Sequence, residues 1–389
     1  MITSFAPHAG AGTGDDVLNT STAPGVRMSG NGGVRRAMPS IEVVAREAGV
    51  STATAGRALG GYGSVSAKSR EAVLAAAERL GYRANSLARS MITGLTHTLG
   101  VLVPDIENPF FSRALRGIAD AAHEKGWEVL LVNTDEDLTL ERKALGVLTE
   151  RRVDGLVVAP TDAADRDALQ AVMNAGIPVV LLDRRVPGLD ADTVGIDNRA
   201  AARDATERLL KLGHRSIALL TGGDEHLRAK LARPGLRGVE RIAGTTVGAR
   251  TAGYRDALLE AGVEPRPELV SAEGFRREDA AEATARLLAL TEPPTAILAL
   301  DSLLALGVLQ ALRRLGLRCP ADVSLVSFDD ADWAEAISPP LSVVAQPIYE
   351  LGAEAGRLLL DRVQGSERRV THRRLPTQFI ERESARSLL

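Results

Sequence analysis

The chain has 389 residues, 45% of them hydrophobic and 25% charged, with a formal net charge of −3. At ~100–200 residues per domain this suits two or three globular domains and excludes a wholly disordered chain. One cysteine, Cys319, excludes a disulfide framework and a cysteine-based metal cluster, and no apolar run approaches the ~18 residues of a membrane helix.

The first 30 residues lack a charged start followed by an apolar stretch, so no secretory signal is expected and a cytoplasmic protein is. The small net charge hides a split. Residues 35–97 carry nine Lys/Arg against four Glu, a net +5, and the remainder is acidic. That split fits a nucleic-acid-binding head on a different kind of body, or a solvated charged segment.

Residues 1–37 are rich in Gly, Ala, Ser and Thr without periodicity and read as a disordered tail, with Met28 and Met38 as alternative starts. Residues 38–83 read as a small helical domain. Ser40 is placed to cap a helix with Ile41, Val44, Ala45 and Ala48 on one face. Gly49 breaks it, Ser51 caps a second helix to about Leu59, and Ser66 caps a third over Ala67–Leu80, closed by Gly81. A small residue at Ala45, glycine at the turn and a capped helix after it match a helix-turn-helix, although any three-helix domain can show this spacing. Residues 84–97 read as a short hinge helix and linker.

From residue 98 aliphatic runs alternate with amphipathic helices. The runs are 99–103, 128–132, 154–158, 178–182, 216–220, 267–271, 296–300 and 323–327. The helices lie at 111–126, 139–151, 164–175, 198–212, 249–262, 278–290 and 303–316. This is a βαβ series restarting near residue 215. The fold class is therefore α/β, a helix-turn-helix head followed by two doubly wound parallel-sheet subdomains over 98–389, with a ligand cleft at the facing strand ends. The six histidines form no i, i+4 pair, and no G-x-G-x-x-G or phosphate-binding loop follows a strand. An enzyme, a cofactor and a bound metal are not expected.

The stretches 41–57 (IEVVAREAGVSTATAGR), 65–71 (VSAKSRE), 85–90 (NSLARS), 99–111 (LGVLVPDIENPFF), 175–184 (AGIPVVLLDR), 320–330 (PADVSLVSFDD) and 338–347 (SPPLSVVAQP) carry a further signal. Together they closely resemble the lactose-repressor (LacI/GalR) family of bacterial transcription regulators, over about residues 38–384. The resemblance implies a periplasmic-binding-protein-like body and a homodimer on a palindromic double-stranded DNA operator, released by a small effector, a sugar in most cases. It implies that Thr52 and Ala53 read bases, Ser51 and Thr54 contact phosphates, and Arg57 reaches guanine in the major groove. Asn85, Ala88 and Met91 fall in the hinge, with Met91 as the wedge in the minor groove where leucine is usual. The effector set implied is Asp105, Asn108, Phe111, Asp183, Arg184, Arg250, Asp301, Asp329, Trp333 and Gln346.

Several positions depart from the pattern. Val43 replaces an aspartate, Ala55 a core valine, Gly56 a serine and Ala84 a proline, so a head of low intrinsic stability is expected. Leu300 stands where an asparagine is common. Residues 224–248 look longer than usual and basic (Arg228, Lys230, Arg233, Arg237, Arg241), which reads as a surface loop, a lid or an anion contact. The competing reading is a sugar-binding protein without a DNA function. No leucine heptads follow residue 384, which favours a dimer over a tetramer.

Overall fold

The computed structural model describes residues 39–389 apart from 61–62, 83–93, 164, 224, 243, 273 and 275. The described residues fall into two units, one before residue 85 and one after it. The expected tail and the hinge positions Asn85, Ala88 and Met91 lie outside the described residues.

The first unit contains three helices, α1 (Ile41–Glu47), α2 (Thr52–Gly60) and α3 (Ala67–Leu80). Their core is Val44, Ala45, Ala55, Ala58, Val73, Ala76 and Ala77, mostly alanine, so the helices meet closely but bury little apolar area. Gly49 turns the chain between α1 and α2 at φ +66°, where a Cβ would be strained. The Thr54 amide donates to Ser51 Oγ at 3.2 Å and the Ser69 amide to Ser66 Oγ at 3.2 Å, so both serines cap their helices. Ser40 sits at the start of α1 with extended backbone, but its side chain accepts no cap hydrogen bond. The expected cap is therefore positional only.

The body holds two six-stranded sheets. The N-terminal sheet runs β11-β5-β4-β3-β1-β2, built from β1 (Thr98–Val103), β2 (Glu128–Asn133), β3 (Gly155–Val158), β4 (Val179–Leu182), β5 (Asp192–Gly195) and β11 (His372–Arg374), all parallel. The C-terminal sheet runs β12-β10-β9-β8-β6-β7, from β6 (Ile217–Thr221), β7 (Val270–Ala272), β8 (Ala296–Ala299), β9 (Ser324–Phe328), β10 (Ser342–Ala345) and β12 (Gln378–Ile380). Only β12 is antiparallel. Strands β3, β4, β8 and β9 are buried along their whole length, as continuous aliphatic runs between two helical layers must be.

The chain crosses between the subdomains three times, rather than dividing once near residue 215. It enters the C-terminal half just after β5, because α7 (Asn198–Lys211) already packs on α9 (Thr246–Glu260) there. It returns after β10, so that α13 (Ile348–Val363) covers the N-terminal sheet against α4 (Pro109–His123). It crosses again between β11 and β12. Helices α4 and α13 touch through glycine: a Cβ on Gly117 would strike the Tyr349 carbonyl, and one on Gly352 the Ala114 carbonyl.

Two expected segments are corrected. The strand at 267–271 begins instead as a 3-10 turn over Pro267–Leu269, because proline at its start donates no ladder hydrogen bond. The basic stretch 224–248 is not an open loop. It forms helix α8 (Glu225–Leu231) and two 3-10 turns whose Leu231, Val239 and Ile242 pack with Ala252 and Ala272 in a small core of their own.

Candidate functional site

In the N-terminal unit, Ser51, Thr52 and Ala53 lie exposed at the start of α2, and Thr54 is half-buried beside them. Ser51 Oγ and Thr54 Oγ1 are 2.9 Å apart, and Arg57 Nη2 donates to Thr54 Oγ1 at 3.3 Å. The Arg57 stem lies over Gly63, where an added Cβ would come within 2.8 Å of its Cδ, and Arg57 Nε is buried without a partner. The positively polarised end of α2 and its hydroxyls thus form an exposed donor surface beside one folded-back guanidinium.

In the body, a cleft of about 1450 Å3 lies where the strand ends of the two sheets face each other. Asp105, Asn108, Phe111, Asp183 and Arg184 line it from the N-terminal subdomain, Arg250, Asp301 and Asp329 from the C-terminal subdomain, and Gln346 from the second crossing. Nine of the ten positions implied for the effector are thereby brought together. Trp333 is not among them. It sits on α12 (Asp332–Ala336) and lines a neighbouring cavity that shares Phe110 and Asp329 with the cleft.

Arg250 is held firmly in the cleft wall. Its Nε donates to Asn198 Oδ1 and its Nη1 to the Leu300 carbonyl, both at 2.7 Å, and its guanidinium lies 4.1 Å over the Phe328 ring. Leu300 thus anchors Arg250 through its backbone, while its side chain is buried. Arg184 is committed differently: both terminal nitrogens pair with Glu136, at 2.6 and 2.7 Å, and Nη1 also reaches the Pro160 carbonyl. Asp105 accepts from the Glu107 amide and so holds its own turn as well as lining the cleft.

The acidic groups face inward. Asp301 Oδ1 caps α11 (Ser302–Leu315) through the Leu303 amide at 2.7 Å, and Oδ2 accepts from Asn108 Nδ2 at 2.8 Å across the cleft. Thr246 Oγ1, at the start of α9, reaches Asp183 at 3.3 Å, a second hydrogen bond between the subdomains. Gln346 Nε2 donates to Asp329 Oδ1 at 2.7 Å. Burial raises the Asp301 carboxyl pKa. Burial, then the charge of Asp301, pushes Asp329 up to about 7 against the pull of Arg250. Asp183 Oδ1 and Gln346 Oε1 are buried with no hydrogen-bond partner. The cleft is thus lined by carboxylates and two fixed guanidiniums, Arg184 and Arg250, with two unpaired acceptors buried in its wall, which suits a ligand carrying several hydroxyls.

Residues 40–85 match the model for bacterial regulatory proteins of the lacI family, and residues 206–385 match the periplasmic binding protein-like domain. The HTH-type transcriptional repressor CytR of Escherichia coli K12 is 33% identical over 353 residues, covering 90% of this chain and 97% of that protein. The chain belongs to the lacI family of bacterial regulatory proteins. The ribose operon repressor of Halalkalibacterium halodurans is 34% identical, with 90% and 98% of the two chains covered. A solved complex of the transcriptional regulator CelR with cellobiose superposes with a TM-score of 0.64 at 32% identity, covering 89% of this chain and 99% of that one. A family regulator from Enterococcus faecium with bound ribose does so at 0.64 and 33%, covering 75% and 100%. This family member is a DNA-binding transcription regulator and not an enzyme. No helix among the described residues is long and apolar enough to cross a membrane.

Sequence reasoning missed the residues that hold the others in place. Asn198 fixes Arg250, Glu136 fixes Arg184, and Thr246 meets Asp183. Only Asn198 carried a local signal, as the first residue of an expected helix. The other two act through contacts 48 and 63 residues away in sequence.

Proposed function

We propose that the protein is a cytoplasmic homodimeric repressor that binds a near-palindromic operator and is released from it by a carbohydrate effector. The observation that carries the effector half is the pair of buried unpartnered acceptors, Asp183 Oδ1 and Gln346 Oε1, beside the fixed guanidinium of Arg250. Hydroxyl groups of a sugar satisfy both sides of that arrangement, donating to the acceptors and accepting from the arginine. The names of the ribose operon repressor and of the CelR–cellobiose and ribose-bound structures support the same class.

For the DNA half, Thr52 and Ala53 read bases, Ser51 and Thr54 hold phosphates, and Arg57 leaves Thr54 to pair with guanine. Asn85, Ala88 and Met91 form the hinge, with Met91 entering the minor groove. Effector binding shifts the body between two states of different operator affinity. The test is selection of bound duplexes from a random pool by the purified full-length protein, followed by competition with a panel of pentoses, hexoses and disaccharides. A palindromic site is expected, with affinity falling steeply as salt rises and one sugar class releasing the complex. No enriched site, with sugar still bound, would support the competing reading of a sugar-binding protein without DNA function.

A further inference from the structure

The segment that leads from the N-terminal unit into the body is fastened to one strand, and the chain leaving that strand enters the effector cleft. We infer that Asp154 is the residue that couples the two: it makes the chain before β1 move with β3 as one piece. This rests on the repressor reading and names the contact through which effector binding reaches the DNA-binding unit.

Asp154 stands directly before β3, at the end of the strand away from the cleft. Its Oδ1 accepts from the Thr96 amide at 2.9 Å, and its Oδ2 from the Thr96 hydroxyl at 3.1 Å and the Thr98 amide at 3.3 Å. The Asp154 amide in turn donates to the Thr98 carbonyl at 2.8 Å, and the Thr96 hydroxyl also reaches the Arg152 carbonyl at 3.0 Å. On the other side of the segment, the Glu128 amide donates to the His97 carbonyl at 2.9 Å, and the His97 ring lies against the Trp127 ring with centroids 4.7 Å apart. The paired residues of β1 and β3 begin only at Leu99 and Gly155. A chain leaving a sheet there frays unless something ties it down. A carboxylate accepting two amides and a hydroxyl does so with charge-assisted bonds, and it fixes what precedes the sheet rather than the sheet itself.

The far end of the same stretch touches the effector site. Strand β3 lies between β4 and β1 and is buried along its whole length. Beyond it the Ala159 amide bonds the Leu102 carbonyl at 3.0 Å, the Pro160 carbonyl accepts from Arg184 Nη1 at 3.1 Å, and Thr161 and Asp162 line the cleft. Asp154 and Thr161 are seven residues apart, about 23 Å of extended chain. A close-packed strand covered on both faces does not bend, so a shift at Arg184 and Thr161 arrives at Asp154 as a displacement of the whole strand. With Thr96 and Thr98 tied to Asp154, the chain toward the N-terminal unit follows it.

The experiment measures operator affinity by fluorescence anisotropy, using the palindromic duplex selected by the full-length protein. Parent, Asp154→Ala and Asp154→Asn are compared without sugar and with a saturating amount of the sugar that releases the parent, and calorimetry follows sugar binding. Asp154 lines no part of the cleft, so sugar affinity is expected to be unchanged. The loss of operator affinity caused by sugar is expected to shrink about tenfold in Asp154→Ala, and by less in Asp154→Asn, which keeps one acceptor oxygen. Asn108→Asp, which removes the donor to Asp301 across the cleft, gives the same comparison without sugar: its effect on operator affinity is expected in the parent and not in the Asp154→Ala background. A merely structural Asp154 would weaken operator binding by one factor with and without sugar and leave both responses intact, and that result overturns the coupling. A parent whose operator affinity responds neither to a sugar nor to Asn108→Asp overturns it together with the repressor reading.

Discussion

Asp183 and Asp329 end β4 and β9, the third strands in from matching edges of the two sheets, and both adopt positive φ, 62° and 69°. Few non-glycine residues accept that backbone, and its cost is tolerated where a side chain must be aimed at a site. Here it brings one carboxylate from each subdomain to the same cleft. The Asp329 carboxyl is raised to about 7 by burial and by its neighbour Asp301. Its folded pKa lies above its unfolded one, so the folded protein retains a proton that the unfolded chain releases. The stability this adds is fully present below the unfolded pKa and is lost as pH rises through about 7. Asp329→Asn keeps the shape and the acceptor for Gln346 but does not titrate. The variant is expected to gain stability over the parent between pH 5 and pH 8, on the order of 2 kcal/mol, in paired urea denaturations. Parallel pH profiles for the two proteins would refute the assignment.

At the scale of elements, α2 of the N-terminal unit is weakly built. It contains Gly56 in its interior, its core contacts are the alanines Ala55 and Ala58, and the helix before it has no side-chain cap. Gly56→Ala removes backbone freedom from the unfolded chain at a helical position and is expected to add about 0.5–1 kcal/mol. Amide exchange of residues 52–60 in the DNA-free protein should slow by a few-fold; unchanged or faster exchange would show that glycine there relieves crowding. Elsewhere, the elements readable from sequence are those whose own pattern dictates them. Strands β1, β3, β4, β6, β8 and β9 are aliphatic runs because both faces are covered. Strands β5 and β11 are short and polar: Asp192 in β5 is held by Arg362 and Arg368, and β11 is exposed along its length. Helix α13 escaped notice although it spans sixteen residues. Its Gly352 and Gly356 weaken a helical pattern, and both lie against α4, where a Cβ would meet Ala114 and Ile118.

At the scale of the whole molecule, the chain passes between the subdomains three times, and hydrogen bonds from Asn108 to Asp301 and from Thr246 to Asp183 span the cleft. The strand-end aspartates were readable because strand ends in doubly wound sheets are where ligands bind. These spanning bonds were not, since each joins residues from different subdomains. Asn108 does two jobs. Its Oδ1 caps α4 through the Phe110 amide at 2.9 Å, and its Nδ2 closes the cleft onto Asp301. Asn108→Asp keeps the cap, removes the donor, and sets a second carboxylate against one whose pKa burial has already raised. At an effective dielectric near 20, such a pair repels by about 4 kcal/mol if both are charged, and protonation of one relieves part of it. Asn108→Ser keeps the cap and removes the donor without adding charge. If the effector binds the closed body, both variants lose affinity for it, Asn108→Asp by about tenfold more than Asn108→Ser at pH 7. That gap narrows as pH falls, because one carboxyl of the pair takes up a proton. Small-angle scattering of the ligand-free Asn108→Asp protein should show a larger radius of gyration than the parent. An Asn108→Asp protein that binds effector as the parent does would mean that the hydrogen bond to Asp301 contributes nothing to closure, and that the Thr246–Asp183 contact and the crossings set the cleft angle.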